Sequence, residues 1–314
     1  MPINKNDPSL LVEAARLYYQ YDFNQQQIAQ RLGVSRPAVS RLLQRAREQG
    51  IVRIEIRDPL EKGTQLESRL REKYQLNKTI VIPADQRSSQ IKKQLGEATI
   101  SYLNEVLTDH MILGVSWGTT MQEVARALKP KKLKNLTVVQ LNGGVSKAAY
   151  DTHASEIAQN IGMKYEAIPY LLPLPAIVDS AALKKSIVSD KNIARALKLA
   201  NECEIAVYTI GLFNRDSVLV KADYFAENEI RNLLKKGAVG DICSRLIDAN
   251  GQLCSPALDA RTIGIELKAL SAKKYAIAVA GGREKLPAIR AALKGKWLNT
   301  LITDEWVAEE LIND

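Results

Sequence analysis

The chain has 314 residues, 46% of them hydrophobic, and a formal net charge of +9. This length favours two domains, and the charge permits a nucleic-acid partner without establishing one. Three cysteines with no CxxC pair and two histidines offer no ligand set for zinc, so we predict no metal and no cofactor. No apolar run approaches the roughly 20 residues of a membrane span, and the N-terminus lacks the apolar segment of a secretion signal. We therefore expect a cytoplasmic protein without a membrane partner.

Local signals place short helices at the start of the chain. A first helix is predicted from a cap at Ser9 to about residue 20, and a second helix over 25–32. Asn24 is suited to cap the second helix, and Gly33 ends it, because glycine tolerates the left-handed conformation of a sharp turn. Seven arginines and no lysine lie within 31–57, so this part of the chain carries concentrated positive charge.

A third predicted helix has one apolar and one polar face. Ser35 is expected to cap it, with Pro37 in its first turn, where a missing N–H costs nothing. Apolar side chains recur at i, i+3, i+4 and i+7 from Val39 and are predicted to pack inward. With the small residue Ala29 and the intervening glycine, this spacing resembles the helix-turn-helix pattern, whose second helix enters the major groove of DNA. The residues predicted to bind DNA are Asn24, Gln25, Ser35, Arg36, Pro37, Ser40, Arg41, Gln44 and Arg45.

These residues are expected to divide between base reading and phosphate contact. Arginine pairs bidentately with guanine and glutamine with adenine, so base edges are predicted to be read by Arg36, Ser40, Arg41 and Gln44. The caps and the later arginines are expected to position phosphates. The alternative is a helical bundle with a merely solvated basic face.

Two segments connect the predicted third helix to the rest of the chain. Residues 50–59 alternate like a half-buried strand, which is either a wing beside the DNA backbone or a strand that closes the domain. A charged segment up to residue 74 is predicted to form a connecting helix. We assign 1–58 to a DNA-binding domain, 59–75 to a linker helix and 76–314 to a large domain.

The large domain alternates short apolar runs with helical stretches. The runs are predicted strands at 79–82, 111–115, 136–141, 204–211, 275–281 and 298–303. Continuous apolar strands between helices indicate an α/β fold, Rossmann-like and doubly wound, with a mostly parallel sheet covered on both faces. In such folds, ligands bind beyond the carboxyl ends of the strands.

Polar and glycine residues gather at those predicted strand ends. The sequence from Ser116 to Thr120 leads from a strand into a helix, an arrangement that makes an anion cradle of N–H and hydroxyl groups. Lys285 opens another helix, where it could neutralise a phosphate, and Asp241 could hold sugar hydroxyls. The residues predicted to line this site are Ser116, Trp117, Gly118, Thr119, Thr120, Asn142, Gly143, Gly144, Asp241, Cys243 and Lys285.

An enzyme with a fused DNA-binding domain is the alternative function. Catalysis of isomerisation or deamination of a sugar phosphate would need a nucleophile with a neighbouring base. His153 and Asp241 are the conceivable members of such a pair, but no convincing pair stands out. We therefore predict a binding protein and no enzyme.

The order of motifs resembles the SorC-type sugar-sensing bacterial regulators along essentially the whole chain. The blocks that carry the resemblance are the helix-turn-helix segment over 13–56 and GVSWGTTM, VVQLNGG, YLLPLPAIVD, KKGAVGDICSRLIDANG and VAGGREKLPAIRAALKGKW. Within this family the chain is most similar to the repressors of deoxyribonucleoside operons.

The resemblance implies a fold like that of ribose-5-phosphate isomerase and glucosamine-6-phosphate deaminase, without their activity. It implies a phosphorylated sugar effector and homodimers or homotetramers on a palindromic double-stranded operator, an assembly that the effector weakens. It also implies that Trp117 to Thr120 line the ligand, with Gly118 to Thr120 facing the phosphate, and that Gly143, Gly144, Asp241, Cys243 and Lys285 make other effector contacts.

One position departs from some members of the family. Some members that sense deoxyribose phosphate place a lysine before the Gly-Gly pair, where it can form a Schiff base with the aldehyde of the sugar. Here that position is Asn142. Since asparagine cannot form an imine, we expect the effector to bind reversibly. With the resemblance, this predicts a repressor of a sugar or deoxyribonucleoside catabolic operon that a reversibly bound effector releases from DNA.

Overall fold

The computed structural model describes residues 8–52, 59–145 and 152–313, and the chain forms two compact units, Met1–Asp58 and Pro59–Asp314. Most of the strand predicted over 50–59 lies outside the described residues, so the choice between a wing and a closing strand stays open.

The first unit is a small helical domain. Within 8–52 its helices are α1 (Pro8–Tyr19), α2 (Gln25–Leu32) and α3 (Arg36–Glu48). The inward face predicted for α3 is confirmed, since Val39, Leu42, Leu43 and Ala46 are all buried against α1 and α2.

The cap at the start of α2 is confirmed in detail. The Asn24 side chain accepts hydrogen bonds from the backbone N–H groups of Gln26 and Gln27, at 3.0 and 2.9 Å. In return, the Gln27 side chain accepts from the Asn24 N–H at 2.9 Å, which completes a capping box. Gly33 ends α2 in the left-handed conformation, with φ 65°.

Two other cap predictions fare differently. Ser35 does occupy the N-cap position of α3, but its side chain makes no capping hydrogen bond. The prediction of a cap at Ser9 is wrong, because α1 already begins at Pro8. Proline suits the first helical position, where its fixed φ is already helical and its missing N–H needs no acceptor.

The second unit contains a parallel and an antiparallel sheet. Its strands are β1 (Lys78–Ile82), β2 (Ile112–Val115), β3 (Thr137–Gln140), β4 (Ile168–Tyr170), β5 (Ile205–Tyr208), β6 (Ile210–Leu212), β7 (Ala238–Ile242), β8 (Arg245–Asp248), β9 (Tyr275–Val279) and β10 (Thr300–Asp304). Among the described residues, the larger sheet has the order β1-β10-β9-β5-β2-β3-β4, with every pair parallel. Along β5, Ile205 and Val207 enter one apolar cluster and Ala206 and Tyr208 the other, so both faces of the sheet are buried.

The winding of the chain reverses beside β2. From β2 the chain moves outward to β3 and β4, and then returns to place β5 on the other side of β2. A crevice therefore forms at the carboxyl ends of β2 and β5, which is where open α/β sheets bind ligands.

The antiparallel sheet is the main departure from the predicted fold. The run 204–211 forms two strands, β5 and β6, instead of one, and β6 pairs with the hairpin β7–β8. Asp241 therefore belongs to an antiparallel hairpin and does not follow a parallel strand.

Helices cover the sheets of the second unit. They are α4 (Pro59–Tyr74), α5 (Ser88–Val106), α6 (Thr119–Ala127), α7 (Ala154–Tyr165), α8 (Ala181–Val188), α9 (Lys191–Glu202), α10 (Val218–Lys221), α11 (Glu227–Lys235), α12 (Pro256–Asp259), α13 (Leu267–Ser271), a 3₁₀ turn (Arg283–Lys285), α14 (Leu286–Lys294) and α15 (Glu305–Asn313). The predicted linker helix, α4, packs on β1 and α15 within this unit. None of the described helices is both long and apolar enough to cross a membrane.

Candidate functional sites

A cavity of about 360 Å³ lies at the crevice between β2 and β5. Ser116 follows β2, Thr209 follows β5, and both are on the cavity wall. The Ser116 N–H donates to the carbonyl of Val207 at 3.0 Å, and the Thr209 N–H donates to the Ser116 hydroxyl at 3.3 Å. These bonds fix the two strand ends relative to each other.

The start of α6 forms one wall of the cavity. Trp117, Gly118, Thr119 and Thr120 all line it, together with Ser116. Gly118 has φ 126°, a conformation that residues with a side chain rarely adopt, so glycine is required at this strand-to-helix turn. The first N–H groups of a helix have no acceptor within the helix and carry its positive dipole end. This wall therefore suits an anion.

Two lysines add positive charge to the same cavity. Lys285 comes from the 3₁₀ turn, and its ammonium group donates to the Thr209 hydroxyl at 3.3 Å. Lys92, which sequence reasoning missed, reaches the cavity from α5. Burial and then the charge of Lys92 lower the pKa of Lys285 to about 8, against smaller opposing effects of Asp241 and Glu284. An anion beside Lys285 would relieve this repulsion.

Hydrogen-bond acceptors form another part of the wall. The Asp241 carboxylate accepts from the Ser244 N–H at 3.1 Å and lies tightly against Gly211, where a Cβ atom would be 1.9 Å from Asp241 Oδ1. Only glycine at position 211 leaves room for this carboxylate. Burial raises the pKa of Asp241 to about 6, although the Ser244 N–H and the charge of Lys285 both lower it.

The turn of the hairpin β7–β8 is strained. Cys243 and Ser244 lie between Ile242 and Arg245 with φ of 49° and 67°, so both central residues are left-handed. Such turns favour asparagine and glycine, and neither is present here. This turn places Cys243 and Ser244 on the cavity wall. Strained backbone conformations of this kind are common at functional sites. Burial raises the pKa of the Cys243 thiol far above its ordinary value, so it stays protonated.

Asn142 lies on the cavity wall with 1% of its surface exposed. Its amide nitrogen donates to the Ser244 hydroxyl at 2.9 Å. Its Oδ1 atom is buried and has no hydrogen-bond partner.

Two predicted site residues do not reach the cavity. Gly143 and Gly144 are buried behind Trp117, whose indole N–H donates to the Gly143 carbonyl at 2.8 Å. A Cβ atom on Gly144 would be 3.0 Å from the indole ring and 2.3 Å from Ala154. A Cβ atom on Gly143 would be 2.6 Å from the Pro175 carbonyl oxygen, so both glycines are required by close packing and neither lines the cavity.

Further cavity residues were not predicted. Apart from Lys92, the polar ones are Thr209, Asn214, Asp216, Ser217, Ser244 and Glu284. Thr209 could have been found, since it follows an apolar strand as Ser116 does. Lys92 gave no signal, because a lysine within a long charged helix usually faces solvent.

The conceivable catalytic pair is not assembled. His153 does not line the cavity, and its ring nitrogen Nδ1 lies 2.8 Å from the Glu156 carboxylate. Among the described residues, no group of three or more His, Cys, Asp or Glu side chains could hold a metal ion.

In the first unit, the outward face of α3 does not pack against the apolar core. Arg36, Pro37, Ser40, Arg41 and Gln44 are all exposed, with Arg45 partly buried at the edge of this face. Gln44 donates to the Glu48 carboxylate at 2.9 Å. Asn24 and Gln25 lie at the start of α2, the helix that precedes α3 in the helix-turn-helix motif. The structure thus presents the predicted reading side chains on one helix.

Comparison with known proteins supports this arrangement of domains. The Sugar-bind family, a sugar-binding domain, matches residues 58–313, and the Crp-like helix-turn-helix domain matches residues 9–61. Identity is 43% to the deoxyribonucleoside regulator of Bacillus subtilis (strain 168), over 99% of this chain and 100% of that protein. It is 31% to the sorbitol operon regulator of Klebsiella pneumoniae, over 98% and 99%. The chain belongs to the SorC family of transcriptional regulators.

The solved structures agree with SorC-family membership. The crystal structure of the full-length sorbitol operon regulator SorC from Klebsiella pneumoniae matches with a TM-score of 0.75 and 30% identity, over 98% of this chain and 100% of that one. The predicted fold class and family resemblance are thereby confirmed. The chain is a transcriptional regulator with a helix-turn-helix domain for DNA and a SorC-family sugar-binding domain for an effector.

The buried Asp241 carboxylate is expected to lower the stability of the free protein at neutral pH. Because burial raises the pKa of this carboxyl to about 6, its charged form destabilises the fold above that pH. Asp241→Asn is therefore expected to raise the melting temperature at pH 7.5 by about 2 °C or more, since each pKa unit of the shift corresponds to about 1.4 kcal/mol.

The gain from Asp241→Asn should shrink as the pH falls from 6 towards 4, where the wild-type carboxyl becomes protonated in both states. Thermal melts at pH 7.5 and pH 4.5 measure this difference. A variant that is less stable than wild type at pH 7.5 would contradict the assignment.

Proposed function

We propose that the chain is a cytoplasmic repressor of a sugar or deoxyribonucleoside catabolic operon, and that a phosphorylated sugar bound reversibly in the cavity releases it from DNA. The observation that carries this proposal is the pairing of two chemistries in one cavity. The start of α6, Lys92 and Lys285 suit a phosphate, while Asp241 and Asn142 suit the hydroxyl groups of a sugar.

Residues 1–58 would read DNA, and residues 76–314 would bind the effector and pair the subunits. One α3 helix covers a single half-site, so useful specificity requires two readers related by symmetry. We therefore propose homodimers or homotetramers on a palindromic operator. The relatives named above are regulators of deoxyribonucleosides and of the sorbitol operon, which supports a catabolic operon as the target.

A chain of contacts within the second unit offers a way for the effector to act on α4, the segment predicted to link the two domains. The Gly282 N–H, next to the 3₁₀ turn that carries Lys285, donates to Asp304 at 2.7 Å. The other oxygen of Asp304 accepts from the Val307 N–H at 3.1 Å in the first turn of α15. Two glutamates of α15, Glu305 and Glu309, form ion pairs with Lys62 of α4. An effector that shifts the 3₁₀ turn would thereby bias α4, to the extent that it prefers one position of the turn.

The reversible mode follows from Asn142 and from the position of Lys285. An asparagine cannot form an imine, and a phosphate beside Lys285 would keep that amine protonated and unreactive. We expect that borohydride treatment in the presence of deoxyribose 5-phosphate leaves the mass of the protein unchanged, as measured by intact-protein mass spectrometry. An adduct at any cavity lysine would refute reversible binding.

One observation favours catalysis on a sugar phosphate as a second function. Asp241 and Lys285, with pKa values of about 6 and about 8, share the cavity, and such displaced values are typical of general acids and bases. Binding is the better-supported function because His153 is turned to Glu156 and the relatives are named as regulators. A turnover assay with ribose 5-phosphate and glucosamine 6-phosphate separates the two functions.

The proposal is tested by two measurements on the full chain. Sugar phosphates are screened for an increase in melting temperature, since a ligand stabilises the state that it binds. Stabilising compounds are then added to a complex of the protein with DNA selected from random sequences, and fluorescence anisotropy follows release. Failure of every sugar phosphate to stabilise the protein would refute the effector site, and stabilisation without release would refute its regulatory role.

A further inference from the structure

One buried atom of the cavity wall lacks a partner. Asn142 is 1% exposed, and its Oδ1 atom accepts no hydrogen bond. An unpaired acceptor buried in this way costs free energy, so such groups are few in folded proteins and call for an explanation. Its amide nitrogen already donates to Ser244 at 2.9 Å, so Oδ1 is the polar atom left for a bound molecule.

Ser244 connects this atom to a second acceptor. The Ser244 hydroxyl accepts from Asn142, and the Ser244 N–H donates to Asp241 Oδ2 at 3.1 Å. All three residues line the cavity. Asp241 is acceptor-only when ionised, which it is above pH 6. The Ser244 turn thus connects an unpaired acceptor, Asn142 Oδ1, with a second acceptor of the cavity wall, the Asp241 carboxylate.

The donors that match these oxygens are hydroxyl groups. A hydroxyl hydrogen satisfies Asn142 Oδ1, whereas a carbonyl oxygen or a deoxygenated carbon leaves it unpaired. The hydrogen bonds of Asn142 and Asp241 to Ser244, with the close approach of Asp241 to Gly211, hold the acceptors in place before a ligand arrives. A pre-organised, buried acceptor discriminates strongly against an analogue that lacks the matching donor.

We propose that Asn142 Oδ1 and Asp241 select the effector by its hydroxyl groups, so that the effector is a sugar phosphate with a hydroxyl on the carbon that faces Asn142. This inference rests on the proposed function and adds the class of effector to it. It assigns Asn142 as the residue that distinguishes a hydroxylated sugar phosphate from its deoxy analogue, while Lys92, Lys285 and α6 hold the phosphate common to both.

Calorimetry on the full chain with one set of ligands tests the inference. The probes are ribose 5-phosphate and the analogues that lack one hydroxyl each: 1,4-anhydroribitol 5-phosphate, 2-deoxyribose 5-phosphate and 3-deoxyribose 5-phosphate. The same series is built on glucose 6-phosphate, in case the cavity takes a hexose. One missing hydroxyl in the series that binds is expected to weaken binding at least about tenfold.

The Asn142→Leu variant identifies the residue responsible. Leucine has a similar size but no acceptor, so the penalty for that one deoxy analogue should fall to about twofold or less. Competition by inorganic phosphate, which reports on the phosphate end alone, should stay unchanged. Asn142→Ala serves the same purpose if the leucine variant does not fold, as judged by its melting temperature.

The outcomes separate this inference from the proposed function. Binding with a penalty that disappears in the variant supports both. Binding in which no deoxy analogue is penalised, or in which the penalty persists in the variant, overturns the inference and leaves the effector site standing. Failure of every sugar phosphate to bind overturns the proposed function together with the inference.

Discussion

Replacing Arg41 with alanine is expected to lower the affinity for operator DNA by about a hundredfold or more while the fold survives. Arg41 is exposed on α3, and the apolar face of that helix does not depend on it. A bidentate pair between arginine and guanine contributes roughly 1–3 kcal/mol of base discrimination, and a palindromic operator would contain it twice. Fluorescence anisotropy with DNA selected by the wild-type protein measures the loss.

Arg41→Lys is the matched control for this prediction. Lysine keeps the charge but lacks the planar fork, so it should retain non-specific DNA binding and its salt dependence while it loses much of the sequence preference. Circular dichroism of both variants shows whether the helices are intact. An Arg41→Ala protein with wild-type operator affinity would remove Arg41 from the reading face.

The first unit could be predicted well because its signals are local. A capping asparagine, a glycine with positive φ and a repeat of apolar residues lie within about 20 residues of one another, and each acts through near neighbours in sequence. The failure at Ser9 is also local, since Pro8 and Ser9 both suit a helix start and the sequence does not rank them.

The cavity could be predicted only in part, because half of its wall depends on contacts between distant segments. Ser116 to Thr120 follow directly from a strand leading into a helix. Asp241 lies on the cavity wall as predicted, but an antiparallel hairpin places it there and not the end of a parallel strand. The turn at Cys243 and Ser244 gave no turn signal, because neither residue is typical of that turn.

Several features that lower the stability of the fold occur at this cavity. The backbone of Ser244 is strained, burial raises the pKa of Asp241, and the Asn142 Oδ1 atom has no hydrogen-bond donor. Natural proteins break local rules of this kind mainly where function requires it. The neighbouring Gly-Gly pair, by contrast, is explained by close packing, of Gly143 against the Pro175 carbonyl and of Gly144 against Ala154 and Trp117. The distribution of strain thus separates the residues that we assign to the ligand from those that support them.

Replacing Lys285 with methionine is expected to weaken binding of a sugar phosphate by roughly 10- to 100-fold at pH 7.5, because a charge-assisted hydrogen bond to the phosphate is lost. The wild-type affinity should also fall as the pH rises above about 8. The pKa of Lys285 in the free protein is about 8, so above this pH the amine must take up a proton before the phosphate can pair with it. Calorimetry between pH 7 and pH 9.5 measures both effects.

The pH profile makes this prediction specific to Lys285. The phosphate itself stays dianionic throughout this range, since its second pKa is about 6. The fall in affinity should therefore be absent from Lys285→Met and present in Lys268→Met, a control at an exposed lysine of α13 outside the cavity. A Lys285→Met protein that keeps the wild-type pH profile would show that another group, Lys92 foremost, holds the phosphate. In that case the 3₁₀ turn would not sense the effector directly, and the contacts from Gly282 to α4 could not transmit its binding.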